Sequence, residues 1–363
     1  MKIVYVITKS AWGGAQVHLF DLINDRIANG DDVSLIVGEK GELTRRLKAS
    51  GCNIVILPVL QRNLSLIKDF LSIIRLRKIL KKLNPEILHL HSSKAGSIGR
   101  IAGIGLKCKV IFTAHGWAFT EGVSLKKRYV FGKIEKFLAR FTDYIICVSK
   151  YDYKLAEKIG LFDQCNGKAI QNGVKVPELY TKPQNNIPYL SMTARFDNQK
   201  NQELLIESLS LLPKSIKYEF HFIGNGQNYT KCKNMVSKYR LEDRVYFEGF
   251  QENVPEFLIK SDINVLISNY EGLPLGLIEA MSYENAIVAS DVGGISELID
   301  NKKNGILLTN DVTEIANELN KLLSDTNLIG DYGKKSKAKF EKDFSLSREL
   351  NEINDVYLKL VKE

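Results

Sequence analysis

Two glutamates with seven residues between them, Glu271 and Glu279, carry the most informative chemistry in this chain. They lie in residues 268–299, SNYEGLPLGLIEAMSYENAIVASDVGGISELI. That segment follows an apolar run, turns at Tyr270-Glu271-Gly272 and reads as a helix from near Leu275. Amides at a helix start lack partners within the helix and favour an anion such as a diphosphate. Glu271, in the turn, can face the same space as that helix start, with Glu279 deeper in the helix. Ionised carboxylates only accept hydrogen bonds, which suits the paired hydroxyls of a sugar ring and a ribose. Read alone, the same spacing also fits a solvated surface helix.

A cationic pair stands upstream in Thr193-Ala194-Arg195-Phe196-Asp197-Asn198-Gln199-Lys200-Asn201. Arg195 falls at a strand end and Lys200 at the next helix start, so both can reach one anion at the C-terminal edge of a sheet. No Asp-x-Asp occurs anywhere in the chain. Arg195, Lys200 and the helix start are the groups expected to offset a diphosphate's charge, and no metal and no other cofactor is expected. Two glycine loops follow strands: Trp12-Gly13-Gly14-Ala15 and Gly224-Asn225-Gly226. Glycines there let backbone amides approach a phosphate or an acceptor. His115 follows a strand in Thr113-Ala114-His115-Gly116-Trp117, where Trp117 and Phe119 either form an acceptor wall or are packed. His89 and His91 share one strand face. A metal there needs further ligands, and none stands out in sequence.

The elements that must position these residues alternate regularly. Short β-branched runs at 2–8, 32–37, 53–57, 87–90, 110–113 and 144–148 read as strands, with helical patterns such as 16–28 and 64–83 between them. A stretch containing Pro177, Pro183 and Pro188 reads as a linker, and then the pattern restarts with strands at 189–193, 219–223, 245–248, 263–267, 286–289 and 305–308. The fold class expected is α/β: two Rossmann-like, doubly wound domains in tandem facing a central cleft. Domain one spans 1–175, the linker 176–188 and domain two 189–345. A last helix, 346–363, is expected to cross back to domain one.

Composition agrees. A chain of 363 residues exceeds what one core usually fills. Its net charge of +9 is uneven: residues 1–180 hold 29 Lys and Arg against 15 Asp and Glu, and the remainder 22 against 27. A basic front half suggests an anionic partner. Residues 125–141, LKKRYVFGKIEKFLARF, place Val130, Ile134, Phe137, Leu138 and Phe141 in an apolar stripe flanked by Lys126, Lys127, Arg128, Lys133, Lys136 and Arg140. Such a helix either lies on an anionic bilayer or packs in a core with a solvated face. The five cysteines are scattered without C-x-x-C spacing, which points to a reducing cytosol. Neither a signal peptide nor a membrane span is expected.

The 268–299 segment resembles the signature of the retaining GT-B glycosyltransferases of family 4. In these, Glu, seven residues and Glu are followed by Ala-Met and later by Gly-Gly-x-x-Glu; here the match is Glu271, Glu279, Ala280-Met281 and Gly293-Gly294-Ile295-Ser296-Glu297. Related elements cover nearly the whole chain. The resemblance implies that Glu279 binds the donor ribose and that Glu271 contacts the transferred sugar. It implies that Arg195, Lys200 and amides from Gly272 to Gly276 hold the diphosphate. Pro274 replaces a residue that is often Gly and removes one N–H, so the contacts fall to Gly272, Leu273, Leu275 and Gly276. Gly224 and Asn225 resemble the loop near the nucleotide, and Phe250 the position lining the base. Gly13 and Gly14 resemble the loop against the donor phosphate, and His115 the histidine beside the transferred sugar.

The implied donor is a UDP-sugar, an N-acetylhexosamine such as GalNAc or GlcNAc. The implied acceptor is an undecaprenyl-diphosphate-linked saccharide of O-antigen or capsule assembly. The implied location is the cytoplasmic face of the inner membrane, with an anionic lipid surface and no nucleic acid as partner. Two other readings share the fold: a UDP-N-acetylglucosamine 2-epimerase, and a nucleotide-sugar-binding protein without catalysis.

Overall fold

A computed structural model describes residues 1–63 and 65–362, so position 64, the first residue of one expected helix, lies outside the described residues. The chain divides into two compact units. The first comprises Met1–Asn172 and the residues from Glu349 onward; the second is Gly173–Arg348.

The first unit is a seven-stranded sheet of β1 (Lys2–Ile7), β2 (Asp32–Val37), β3 (Asn53–Ile56), β4 (Ile87–His91), β5 (Lys109–Ala114), β6 (Tyr144–Cys147) and β7 (Asn166–Ala169). Their order is β3-β2-β1-β4-β5-β6-β7 and every pairing is parallel. A parallel sheet needs cover on both faces, and alternation along each strand provides two apolar surfaces. Ile3, Tyr5 and Ile7 face a core shared with Leu19, Leu22 and Ile23 of the helix Gly14–Ala28 and with Ile353, Val356 and Tyr357 of the last helix, Leu346–Lys362. Val4, Val6, Leu88 and Leu90 face the opposite core, with Leu76 and Leu80 of Leu66–Leu83, Ile98 and Ala102 of Ser93–Gly103, and Ala139 of Leu125–Ala139.

The second unit repeats the architecture with β8 (Tyr189–Thr193), β9 (Glu219–Ile223), β10 (Val245–Gly249), β11 (Ile263–Leu266), β12 (Ala286–Ser290) and β13 (Gly305–Leu308), in the order β10-β9-β8-β11-β12-β13. Its pairings are also all parallel. The α/β class with two doubly wound sheets is the one expected. Strand β7 was not. Its residues, Asn-Gly-Lys-Ala, are polar and unbranched, and it exists because the edge of β6 offers a full parallel register from Tyr144↔Asn166 to Cys147↔Ala169. No described helix is long and apolar enough to cross a membrane.

Candidate active site

In the second unit the predicted residues gather on the loops that leave the C-terminal ends of adjacent strands. These loops are stitched to one another in sheet order. After β10, the Gly249 carbonyl accepts from Gly224 N–H at 2.7 Å. After β9, the Asn225 carbonyl accepts from Phe196 N–H at 3.1 Å. Gly224 has φ +140°, and a β-carbon there would sit 2.0 Å from the Ala194 carbonyl oxygen. Only glycine permits that approach. After β8, Gln199 donates its side-chain N–H to the Tyr270 carbonyl at 2.9 Å, and its own carbonyl accepts from Asn269 N–H at 2.8 Å. After β11, Gly272 accepts from Gly294 N–H at 2.9 Å.

Lys200 and Glu271 meet inside this lattice. Lys200 Nζ donates to Glu271 Oε1 at 2.5 Å, and both side chains are largely buried. Gln199 lies 3.5 Å from the other carboxylate oxygen. Arg195 is different: its guanidinium is mostly exposed and lies 3.2 Å from Asp197. One cation is therefore held in a buried ion pair and the other in an exposed one. The helix Leu275–Ser282 begins immediately after Pro274, whose carbonyl takes the N–H groups of Leu277 and Ile278. The amides of Leu275 and Gly276 precede the first intrahelical donors, so they sit where an anion is favoured. Leu273 and Leu275 are buried, Gly276 is half-buried, and Glu279 is half-buried on the same helix. Phe250, directly after β10, is 55% exposed, so it is a surface residue rather than a core one.

In the first unit, Gly13 precedes the helix Gly14–Ala28, and its carbonyl accepts from Gln16 and Val17 N–H at 2.9 Å each. Trp12 beside it lies under the Arg46 guanidinium, 4.3 Å from the ring centre. His115 follows β5 and leads into Gly116 at φ +112°. Trp117 and Phe119 do not form a wall. Each is 4% exposed, they stack on one another at 4.9 Å, and the indole N–H donates to the Asp152 carbonyl at 2.9 Å. Both belong to the core beneath the sheet.

A histidine cluster occupies the same edge of this sheet, and sequence reasoning missed it. His18 from the first helix, His91 from the end of β4 and His115 after β5 each place a ring nitrogen within 4.8 Å of the others. The expectation that His91 lacks neighbouring ligand types does not hold. Two of the three are joined directly: His91 Nδ1 and His115 Nε2 share a hydrogen bond of 3.0 Å. His89 takes no part, because Tyr357 OH at 2.6 Å and Thr113 Oγ1 at 2.7 Å occupy both its nitrogens. His18 Nδ1 lies 2.8 Å from Glu349 Oε1. Burial holds the rings of His89, His91 and His115 well below the ordinary imidazole range, so they are neutral at neutral pH.

The comparisons with known proteins divide along the same boundary. The Glycosyltransferase Family 4 model matches residues 12–176, and the model for glycosyl transferases group 1 matches residues 181–339. The chain is 31% identical over 352 residues to the UDP-Gal:alpha-D-GlcNAc-diphosphoundecaprenol alpha-1,3-galactosyltransferase of Escherichia coli, covering 91% of this chain and 89% of that protein. It is 32% identical over 324 residues to the O-antigen biosynthesis glycosyltransferase WbnH of Escherichia coli, covering 88% and 90%. Among solved structures, HepE of Anabaena in complex with UDP and glucose superposes with a TM-score of 0.84 at 19% identity, over 98% of this chain and 99% of that one. Sucrose-phosphate synthase of Thermosynechococcus elongatus gives 0.85 at 18% identity, over 99% of both. At those identities the superpositions speak for the fold alone. Two family models that share the chain between them, and relatives above 30% identity matched along nearly all of it, show that this chain belongs to the family 4 glycosyltransferases and has their GT-B fold.

Proposed function

We propose that this glycosyltransferase moves a sugar from a UDP-sugar to an undecaprenyl-diphosphate-linked saccharide, with retention of anomeric configuration, in the assembly of an O-antigen or capsule. The observation that carries this reading is the end-to-end match to a relative whose own acceptor is a diphosphoundecaprenol-linked GlcNAc. That relative uses UDP-Gal, which sets galactose beside the N-acetylhexosamine expected from sequence.

Apart from Trp117 and Phe119, which are packed in the core, each residue is given the role that the family resemblance implies. Glu279 accepts from the ribose hydroxyls. Glu271 faces the transferred sugar. Arg195, Lys200 and the amides of Gly272, Leu273, Leu275 and Gly276 balance the diphosphate, which makes a divalent metal unnecessary. Gly224, Asn225 and Phe250 line the nucleoside, and Gly13 and Gly14 approach the donor phosphate. His115 recognises an oxygen of the transferred sugar. The leaving diphosphate takes the acceptor hydroxyl's proton as the new glycosidic bond forms on the face that the leaving group vacates.

The protein works at the inner face of the cytoplasmic membrane. The apolar residues of Leu125–Ala139 support this, because Val130, Ile134 and Phe137 are exposed rather than packed, with Lys126, Lys127, Lys133 and Lys136 beside them. The helix Leu66–Leu83 adds exposed Leu66, Ile67 and Phe70.

The test is a panel of UDP-sugars incubated with synthetic lipid-diphosphate sugars, with and without EDTA. The expected product is the acceptor plus one hexose or N-acetylhexosamine, formed equally well under chelation. An epimerised UDP-sugar with no transfer would overturn the reaction. Loss of turnover with EDTA, restored by Mg²⁺ or Mn²⁺, would overturn the metal-free account of the diphosphate.

A further inference from the structure

The buried histidines of the first unit determine more than their own packing. His115 meets His91 through Nε2, so its other ring nitrogen, Nδ1, is the one left for a ligand. A neutral imidazole carries one N–H and one acceptor nitrogen, so the shared hydrogen bond can run in either direction. The far nitrogen of His91 decides between them. His91 Nε2 is buried and has no hydrogen-bond partner among the described residues. Were the proton there, a buried N–H would be orphaned; with the proton on Nδ1, only a lone pair is. Orphaned buried donors are the rarer of the two. The proton of His91 then sits on Nδ1 and is donated to His115 Nε2. His115, accepting at Nε2 and neutral through burial, must carry its own proton on Nδ1.

The surroundings hold both rings in place. His18 stands edge-on to His115 at 4.9 Å and 79°, and its Nδ1 lies beside Glu349. His89, bonded at both nitrogens, lies 4.3 Å from His91. Ser92, the next residue after His91, has φ +74°, a backbone conformation that a side chain rarely adopts. Strain of this kind persists where the surrounding structure over-determines it, often at functional sites.

We propose that His91 is a positioning residue: it fixes His115 in the tautomer protonated at Nδ1, so that His115 presents an N–H donor to an oxygen of the transferred sugar. The inference rests on the reading that His115 recognises that sugar.

Long-range ¹H–¹⁵N correlation spectra of the full chain, labelled with ¹⁵N-histidine, read the tautomers directly. The chain has five histidines, assignable one at a time by His→Gln substitution. The expected result is a protonated Nδ1 and a bare Nε2 for both His91 and His115. A protonated Nε2 on His115 would overturn the proposal, and the tautomers themselves are read on the unsubstituted chain, the His→Gln variants serving only for assignment. In kinetics, His91→Phe should lower kcat for transfer by about 2- to 10-fold, the worth of one neutral hydrogen bond. UDP affinity should stay unchanged, and His91→Gln, which keeps an N–H donor, should recover part of the loss. A folded His91→Phe that transfers at the wild-type rate would also overturn it. Wild-type transfer by His115→Ala has a separate meaning: the tautomer would stand while the sugar contact, and with it the proposed use of the tautomer, would be lost.

Discussion

Lys200 and Glu271 form their ion pair across 71 residues of sequence, with both side chains mostly shielded from water. A charge in such a place is tuned by its partner. Removing Lys200 leaves the Glu271 carboxylate without its cation where a donor diphosphate is proposed to bind. Lys200→Ala should therefore weaken UDP binding by roughly 1.5–3 kcal/mol, about 10- to 150-fold in calorimetric titration. Adding Glu271→Gln to that variant should return part of the affinity, because the two residues are coupled. Unchanged UDP affinity in Lys200→Ala would remove the residue from the phosphate site. The two glutamates should separate in the same experiments. Glu279→Gln should weaken UDP, which contains the ribose. Glu271→Gln should bind UDP at least as well as the wild type and lose kcat, since UDP lacks the sugar. Normal UDP binding by Glu279→Gln would overturn its assignment. Both glutamates, Arg195 and Lys200 are legible as a set in the sequence. Their pairing is not, because sheet order alone brings the loop after β8 to the loop after β11. The histidine cluster is hidden for the same reason: His18, His91 and His115 lie on three separate elements.

The loop after β12 is the support on which Glu271 rests. Gly293 has φ +59°, and a β-carbon there would lie 1.9 Å from the Glu271 carbonyl oxygen. Gly294 then bonds Gly272. The two glycines that look in sequence like part of a signature are thus a close backbone contact between neighbouring loops. Gly293→Ala should cost about 1–3 kcal/mol in backbone strain alone, with the collision added. It should also reduce kcat by displacing Glu271, even though residue 293 offers no side chain to a ligand. A thermal unfolding midpoint equal to wild type would contradict this. At this scale the sequence is a good guide to buried strands and a poor one to helix orientation. The 3.6-residue period marks an apolar stripe on the helix Leu125–Ala139 without saying which face the sheet uses. Of that stripe only Leu138 is buried on the helix, together with Ala139 and Glu135, the last bonded to Arg100 at 2.7 Å. Hydropathy would never choose a glutamate for that face. Strand β7 escapes notice for a related reason, since its pairing is supplied by β6 and not by its own residues.

For the molecule as a whole, charge and burial set how it responds to its surroundings. The excess of Lys and Arg in residues 1–180, together with the exposed apolar residues of Leu125–Ala139, predicts salt-sensitive binding to anionic vesicles. Replacing Lys126, Lys127, Lys133 and Lys136 by Gln should release the protein; equal binding to neutral vesicles would refute the electrostatic part. Stability should also fall in acid. His89, His91 and His115 have folded values held below the ordinary 6.5, so below about that pH the unfolded chain binds protons that the native fold refuses. Their contribution is therefore full above 6.5 and is lost as pH falls toward their folded values. The unfolding midpoint should drop through that window with net proton uptake on unfolding, and a flat profile would contradict the burial argument. The last helix carries one more consequence, set by the order in which the chain is made. Tyr357, hydrogen-bonded to Tyr5 at 3.1 Å and to His89, closes a sheet whose first strand begins at Lys2. During synthesis the first unit must wait, one apolar face covered only in part by its earlier helices, until the whole second unit has left the ribosome. Incompletely covered apolar surface is prone to aggregate, so a stop codon just before Leu346 should destabilise the first unit while sparing the strands of the second.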